Sequence, residues 1–143
     1  MSERGEINNR ERAKQLRDFS GLRFPDGITP TDVDGFLPCG FQGLLDFKNK
    51  LFIFLEFKYR NVELRPGQRW AFERVCDAIK DIPVYFIVAK HEVDDCGKDI
   101  PADKCVVVEY RFKGEWHTPH KKEWTVKEFI DKALILHEIL PPF

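Results

Sequence analysis

A carboxylate and an ammonium group follow a run of apolar residues in the segment Leu51–Arg60. Residues 51–55 are all apolar, which predicts a strand buried on both faces of a sheet. Because side chains alternate along a strand, Phe54, Glu56 and Lys58 share one face. Ionised groups at the end of a buried central strand carry a desolvation cost unless they are paired, hydrated or bound to a metal. The two residues therefore form either a simple ion pair where the strand reaches water, or a reactive pair in which Glu56 binds a metal and Lys58 activates a water molecule.

The reactive interpretation needs a second carboxylate from a neighbouring strand. Asp32 and Asp34 alternate with Val33, so both carboxylates point to one side of an extended segment. Two aspartates this close repel each other unless a cation neutralises them. Gly35 directly follows Asp34, and because it has no side chain it leaves room for backbone or a ligand to come close.

The elements that would position these residues are read from hydrophobic periodicity, turn residues and helix caps. We expect a helix over 7–20, strands over 28–40, 41–47 and 51–60 with a turn at 48–50, a helix beginning at Pro66, strands over 82–90 and 104–112, a loop over 113–121, and a helix over 125–136 with a capping box at Thr125 and Glu128. The strand that follows the crossover helix should lie parallel to one of the earlier strands. The sequence thus predicts one α/β domain over residues 1–143, with a mixed central sheet flanked by helices.

Composition narrows the protein class. With 143 residues, 43% of them hydrophobic, the chain can bury a core, and it contains no apolar run near the roughly 20 residues that span a bilayer. The four cysteines show no CxxC spacing and fit reduced thiols, and the N-terminus is charged, so we expect a cytoplasmic protein without a membrane partner. The net charge of −1 argues against massive nonspecific binding of nucleic acid but leaves room for a local basic patch.

The sequence resembles the PD-(D/E)xK nuclease superfamily in three successive motifs. Within that superfamily it resembles the short stand-alone nuclease-like proteins of phages and bacteria. The three motifs are TDVDG at 31–35, FLEFK at 54–58 and GQR at 67–69 at the start of a helix. The resemblance covers roughly residues 10–90 and implies a restriction-endonuclease-like core in the order α-β-β-β-α-β, here with a further strand and helix. It also implies metal-dependent hydrolysis of phosphodiester bonds in DNA.

The resemblance assigns a role to each matching residue. Asp34, Glu56 and the backbone carbonyl of Phe57 would hold a divalent cation, and hard oxygen ligands suit Mg²⁺ or Mn²⁺. Lys58 would orient or deprotonate the attacking water. Gln68 corresponds to a glutamine that supports the site or touches nucleic acid.

Other residues receive secondary roles in the same comparison. Glu11 is the candidate for a further acidic ligand from the first helix. Val33 stands where the family has proline, so Asp32, which follows Pro30 and Thr31, is an alternative ligand to Asp34. Arg60, Arg65 and Arg69 flank the site and are candidates for phosphate contacts. A homodimer would supply the second site needed to cut both strands of a duplex.

Three alternatives stay open. A nuclease-like scaffold without catalysis could bind nucleic acid or a protein partner, although such a module gains nothing from carboxylates where phosphate must approach. A zinc site could be assembled from four ligands that lack tight paired spacing, namely Cys96, Cys105, His117 and His120. Base stacking could involve Trp70, Trp116 or Trp124, for which core packing is the competing explanation.

Overall fold

The computed structural model describes residue 18 and residues 20–27, 33–42, 47–120 and 123–138. The chain divides into two compact units, Met1–Asp32 and Val33–Phe143. The described part of the first unit contains two short 3-10 helices, Ser20–Leu22 and Pro25–Gly27. The second unit contains the sheet and both α-helices described below. A single domain over residues 1–143 stays a prediction.

A five-stranded mixed sheet organises the second unit, with the strands adjacent in chain order. Its elements are β1 (Gly35–Gln42), β2 (Phe47–Tyr59), α1 (Pro66–Ala78), β3 (Val84–His91), β4 (Val106–Phe112), β5 (Glu115–His117) and α2 (Val126–Leu136). The central strands β2 and β3 are parallel, and every other neighbouring pair is antiparallel. The helix α1 provides the crossover that a parallel pair requires. The predicted α/β class with a mixed sheet and flanking helices is confirmed.

Alternation along β2 and β3 sends apolar side chains to both faces of the sheet, as expected for buried central strands. On one face, Ile53 and Ile87 are fully buried in a cluster that includes Phe129 of α2. On the other face, Phe86 is 1% exposed, and its ring lies 4.1 Å from that of Phe72 of α1, measured between centroids. Each helix therefore covers one face of the sheet.

Both helices begin at the expected residues. Pro66 occupies the first helical position of α1, where its missing N–H costs no hydrogen bond. The Thr125 side chain accepts a hydrogen bond from the Glu128 backbone N–H, and the Glu128 carboxylate reaches back to the Thr125 N–H. This reciprocal pair is the predicted capping box of α2.

The strands before α1 differ from the expected three-stranded meander. Among the described residues there are two strands, which form a hairpin, and the predicted turn at 48–50 lies inside β2. Residues 48 and 49 pair with Phe41 and Gly40, so they belong to a strand and not to a turn. Three polar residues in a row were therefore misread as a turn.

A second difference follows β4. The segment predicted as a loop over 113–121 contains β5, which pairs antiparallel with β4. Lys113 and Gly114 both have positive φ, 52° and 78°, as a two-residue type I′ hairpin turn requires. The expected helix over 7–20 lies almost wholly outside the described residues.

Candidate active site

The polar residues of β2 lie at its C-terminal end, on the sheet face that α1 covers. Phe52 and Phe54 pack into the cluster beneath α1, and Glu56 and Lys58 continue the same face. The Glu56 residue is only 6% exposed, and its Oε1 lies 3.6 Å from Nζ of Lys58. The predicted juxtaposition of carboxylate and ammonium is therefore present in a largely water-excluded position.

The second carboxylate is held beside this pair by a backbone hydrogen bond. The first residue of β1, Gly35, pairs with Leu55, which places Asp34 next to the Glu56 position on the adjacent strand. One Asp34 carboxylate oxygen accepts a hydrogen bond of 2.8 Å from the Phe57 N–H. A Cβ on Gly35 would lie 3.3 Å from the Leu55 side chain, so glycine permits the close strand contact that brings Asp34 here.

Gln68 ties the first turn of α1 to the end of β2. Its side-chain oxygen accepts a hydrogen bond of 3.0 Å from Lys58 Nζ and one of 3.3 Å from the Arg65 N–H. The lysine ammonium is therefore held between the Glu56 carboxylate and the Gln68 amide. Since Arg65 and Gln68 belong to the start of α1, the position of the helix determines the position of the ammonium group.

The donor set fits a hard divalent cation. Asp34 and Glu56 supply carboxylate oxygens, which Mg²⁺ and Mn²⁺ prefer. The N–H and C=O groups of one strand residue point to the same edge, so the hydrogen bond from Phe57 to Asp34 also directs the Phe57 carbonyl toward that side. Mg²⁺ retains several waters and needs only one or two protein carboxylates.

Two further candidate ligands, Glu11 and Asp32, lie outside the described residues. Within the described ranges, no three His, Cys, Asp or Glu side chains come together in a way that could hold a metal ion. The four candidate zinc ligands named from the sequence are all described, and they form no such group. Of the carboxylate ligands proposed from the sequence, Asp34 and Glu56 are the two that the structure describes.

The three flanking arginines differ in how they are engaged. Arg60 forms an exposed ion pair of 2.9 Å with Asp94, which also accepts a hydrogen bond from the Tyr59 hydroxyl. The hydrogen bond from Tyr59, and then that from Arg60, hold the pKa of Asp94 below its ordinary value. Arg65 is exposed. Its side chain is therefore accessible to a phosphate.

Arg69 makes contacts within the protein that sequence reasoning missed. Its guanidinium forms an ion pair with Glu109 of β4 and lies 4.4 Å from the ring centroid of Trp116. The Trp116 indole N–H donates to Glu73 of α1 at 3.1 Å. These contacts join the first turns of α1 to β4 and β5. Residues 69 and 109 are 40 positions apart, and no local pattern in the sequence signals their pairing.

The remaining aromatic and thiol candidates are placed as follows. Trp70 is 60% exposed and lies beneath the Arg74 guanidinium, whereas Trp116 and Trp124 are half-buried. All four cysteines are free. Burial raises the pKa of the Cys76 thiol to about 11, so it stays protonated near neutral pH and is a packing residue rather than a nucleophile.

Comparison of the chain with protein-family models, curated proteins and solved structures finds no match. Across the described residues, neither α-helix has the length and apolar character needed to cross a bilayer.

Proposed function

We propose that the protein is a metal-dependent DNA nuclease of the PD-(D/E)xK type, with Asp34, Glu56 and Lys58 as its reactive residues. The observation that carries the proposal is the position of Lys58. Its ammonium is held by Glu56 on one side and by Gln68 on the other, and Asp34 is bound to the backbone of the intervening residue, Phe57. A simple strand-end ion pair needs neither Gln68 nor a second carboxylate.

The proposed mechanism gives each of these residues a role. Asp34, Glu56 and the Phe57 carbonyl would bind Mg²⁺ or Mn²⁺, and the bound ion would neutralise charge on the scissile phosphate and acidify a water molecule. Lys58 would orient that water toward the phosphorus. In the net reaction the water oxygen forms a new bond to phosphorus, the bond from phosphorus to a sugar oxygen breaks, and one water proton ends on the leaving oxygen.

The supporting residues complete the proposal. Gln68 would fix Lys58 in place, and Arg60, Arg65 and Arg69 would contact phosphates on the flanking DNA. Arg69 would have to exchange its contact with Glu109 for such a role. Four free cysteines fit a reducing compartment, and we place the enzyme in the cytoplasm. A homodimer would allow both strands of a duplex to be cut.

The experiment that tests the function is cleavage of labelled linear, branched and single-stranded DNA with Mg²⁺, Mn²⁺ or chelator. Glu56→Gln and Lys58→Met should each lower the cleavage rate by about 10²–10⁴-fold. Asp131→Asn, on the exposed side of α2, is the matched control and should leave the rate unchanged. Binding of DNA or a protein without cutting in any metal would instead favour the non-catalytic scaffold.

A further inference from the structure

A second lysine lies beside Lys58 on the neighbouring parallel strand. Lys58 of β2 pairs in register with Lys90 of β3, so both side chains project to the face that α1 covers. Adjacent strands are about 4.8 Å apart, which places two positive residues side by side. Both residues are partly buried.

The two lysines differ in how their charge is balanced. Glu56 lies within 3.6 Å of Lys58, whereas the residue beside Glu56 on β3 is the apolar Val88. None of the ion pairs formed within the described residues involves Lys90. Like charges side by side on a sheet are destabilising, and partial burial adds a desolvation cost. An anion bound at Lys90 would offset both the repulsion between the two lysines and the desolvation cost.

A cleft opens next to Lys90 with room for such an anion. It has a volume of about 1050 Å³ and lies at the C-terminal end of β3, where Lys90 and His91 line it. Ligands in open α/β sheets bind outside the carboxyl ends of the strands. The cleft is lined by Lys90 and by its β4 register partner Val106, so it begins one strand away from Lys58. Apolar side chains such as Ile100 make up much of the remaining wall.

Charge within the cleft is not uniform. Lys104, Glu92 and Glu123 also line it. The two acidic residues balance the two lysines, so the cleft as a whole is not an anion trap. The position that favours an anion is the one nearest the candidate active site, where Lys90 and Lys58 are neighbours. The apolar walls beyond it suit the flat faces of nucleobases.

We propose that Lys90 binds a backbone phosphate of the DNA strand, and that the cleft receives the nucleotide attached to it. This inference rests on the proposed function and adds the path that the DNA strand takes across the sheet. The strand runs from the Asp34–Glu56 site across the end of β3 and toward the start of β4. Lys90 is a substrate-binding residue in this arrangement, and it takes no part in activating water.

The test measures binding separately from cleavage. Fluorescence anisotropy in chelator would give the affinity of wild type, Lys90→Met, Lys90→Arg and Lys80→Met for a labelled single-stranded oligonucleotide at several salt concentrations. Methionine keeps the apolar stem of lysine, so the fold should tolerate it. Lys80 is an exposed lysine just before β3, at the opposite end of the sheet, and it controls for loss of one positive charge.

We expect Lys90→Met to weaken binding about fivefold or more and to reduce the slope of log affinity against log salt by about 1. Lys80→Met should match wild type, and Lys90→Arg should restore binding. Equal affinities for the two methionine variants, or no binding of DNA by wild type, would overturn the role of Lys90. Metal-dependent cleavage by wild type would then leave the nuclease proposal standing. Binding that depends on Lys90 without cleavage in any metal would overturn the nuclease proposal alone.

Discussion

Replacing Glu56 and Lys58 singly and together would measure how strongly the protein couples these two charges. The variants are Glu56→Gln, Lys58→Met and the double replacement, each of which keeps the side chain close to its original size. The free energies of unfolding of the four proteins form a double-mutant cycle. The coupling energy from that cycle reports the interaction between the two side chains and cancels effects that each change has elsewhere.

The structure sets the expected magnitude. The Glu56 and Lys58 side chains are only 8% and 16% exposed, and their charged atoms are 3.6 Å apart. At about 4 Å and an effective dielectric constant of about 20, the attraction between unit charges is about 4 kcal/mol. Lys58 keeps its hydrogen bond to Gln68 in the Glu56 variant, which reduces the loss. We therefore expect a coupling energy of about 1–3 kcal/mol, within the range found for contacting residues.

The assay is urea unfolding in chelator at low salt, with an exposed ion pair as the matched control. Lys127 and Asp131 lie one turn apart on α2, at 2.6 Å, with side chains that are 63% and 37% exposed. The same cycle on this pair should give about 0.5 kcal/mol or less, because water screens the charges. A coupling energy for Glu56 and Lys58 no larger than that of the control pair would refute the water-excluded pair on which the site is built.

Three further predictions concern the core, pH and the site. Phe86→Ala should lower the free energy of unfolding by about 3–5 kcal/mol, because the ring is buried against α1. Trp70→Ala, on the exposed side of α1, should change the free energy of unfolding by about 0.5 kcal/mol or less. Equal losses for the two variants in urea unfolding would contradict this packing. Burial, and then nearby Lys113, lower the pKa of His137 below 6.5, so the folded protein binds fewer protons than the unfolded chain. The contribution of His137 to stability should therefore be fully present above pH 6.5 and should fall as the pH drops below that value. His137→Gln should remove that part of the loss in unfolding curves measured between pH 7.5 and 5. A pH profile unchanged by the substitution would count against this prediction. Gln68→Ala should lower the cleavage rate by up to about 10²-fold through misplacement of Lys58 while leaving Mn²⁺ affinity unchanged, and a rate equal to wild type would remove Gln68 from the site.

The central elements could be predicted because their signals are local. The apolar runs of β2 and β3 and the proline at the start of α1 each act over a few residues, and the parallel pairing follows from the crossover helix. Gln68 was singled out through the family resemblance, and its hydrogen bond to Lys58 was not predicted from the sequence. Glu56 and Lys58 were singled out because they interrupt an apolar face.

Other features of the fold and the site could not be predicted from local sequence signals. The hydrogen bond from Phe57 to Asp34 is set by the pairing of β1 with β2, which includes an irregularity between Cys39 and Gly40 that no sequence pattern announces. The turn assigned to 48–50 was wrong because polar residues are also tolerated in a long hairpin strand. β5 was missed because three residues are too few to show alternation, although Gly114 marks the turn that precedes it.

Binding of Mn²⁺ compared with DNA cleavage, in the same set of variants, tests the central claim most directly. Electron paramagnetic resonance would count bound Mn²⁺ in wild type, Asp34→Asn, Glu56→Gln and Lys58→Met, and single-turnover assays would give their cleavage rates. We predict that wild type binds the ion and cuts DNA. The two carboxylate variants should lose both properties, and Lys58→Met should keep the ion but lose cleavage. Mn²⁺ binding that is absent from wild type, or that survives in both carboxylate variants, would contradict the assignment of this site as a metal-dependent nuclease centre.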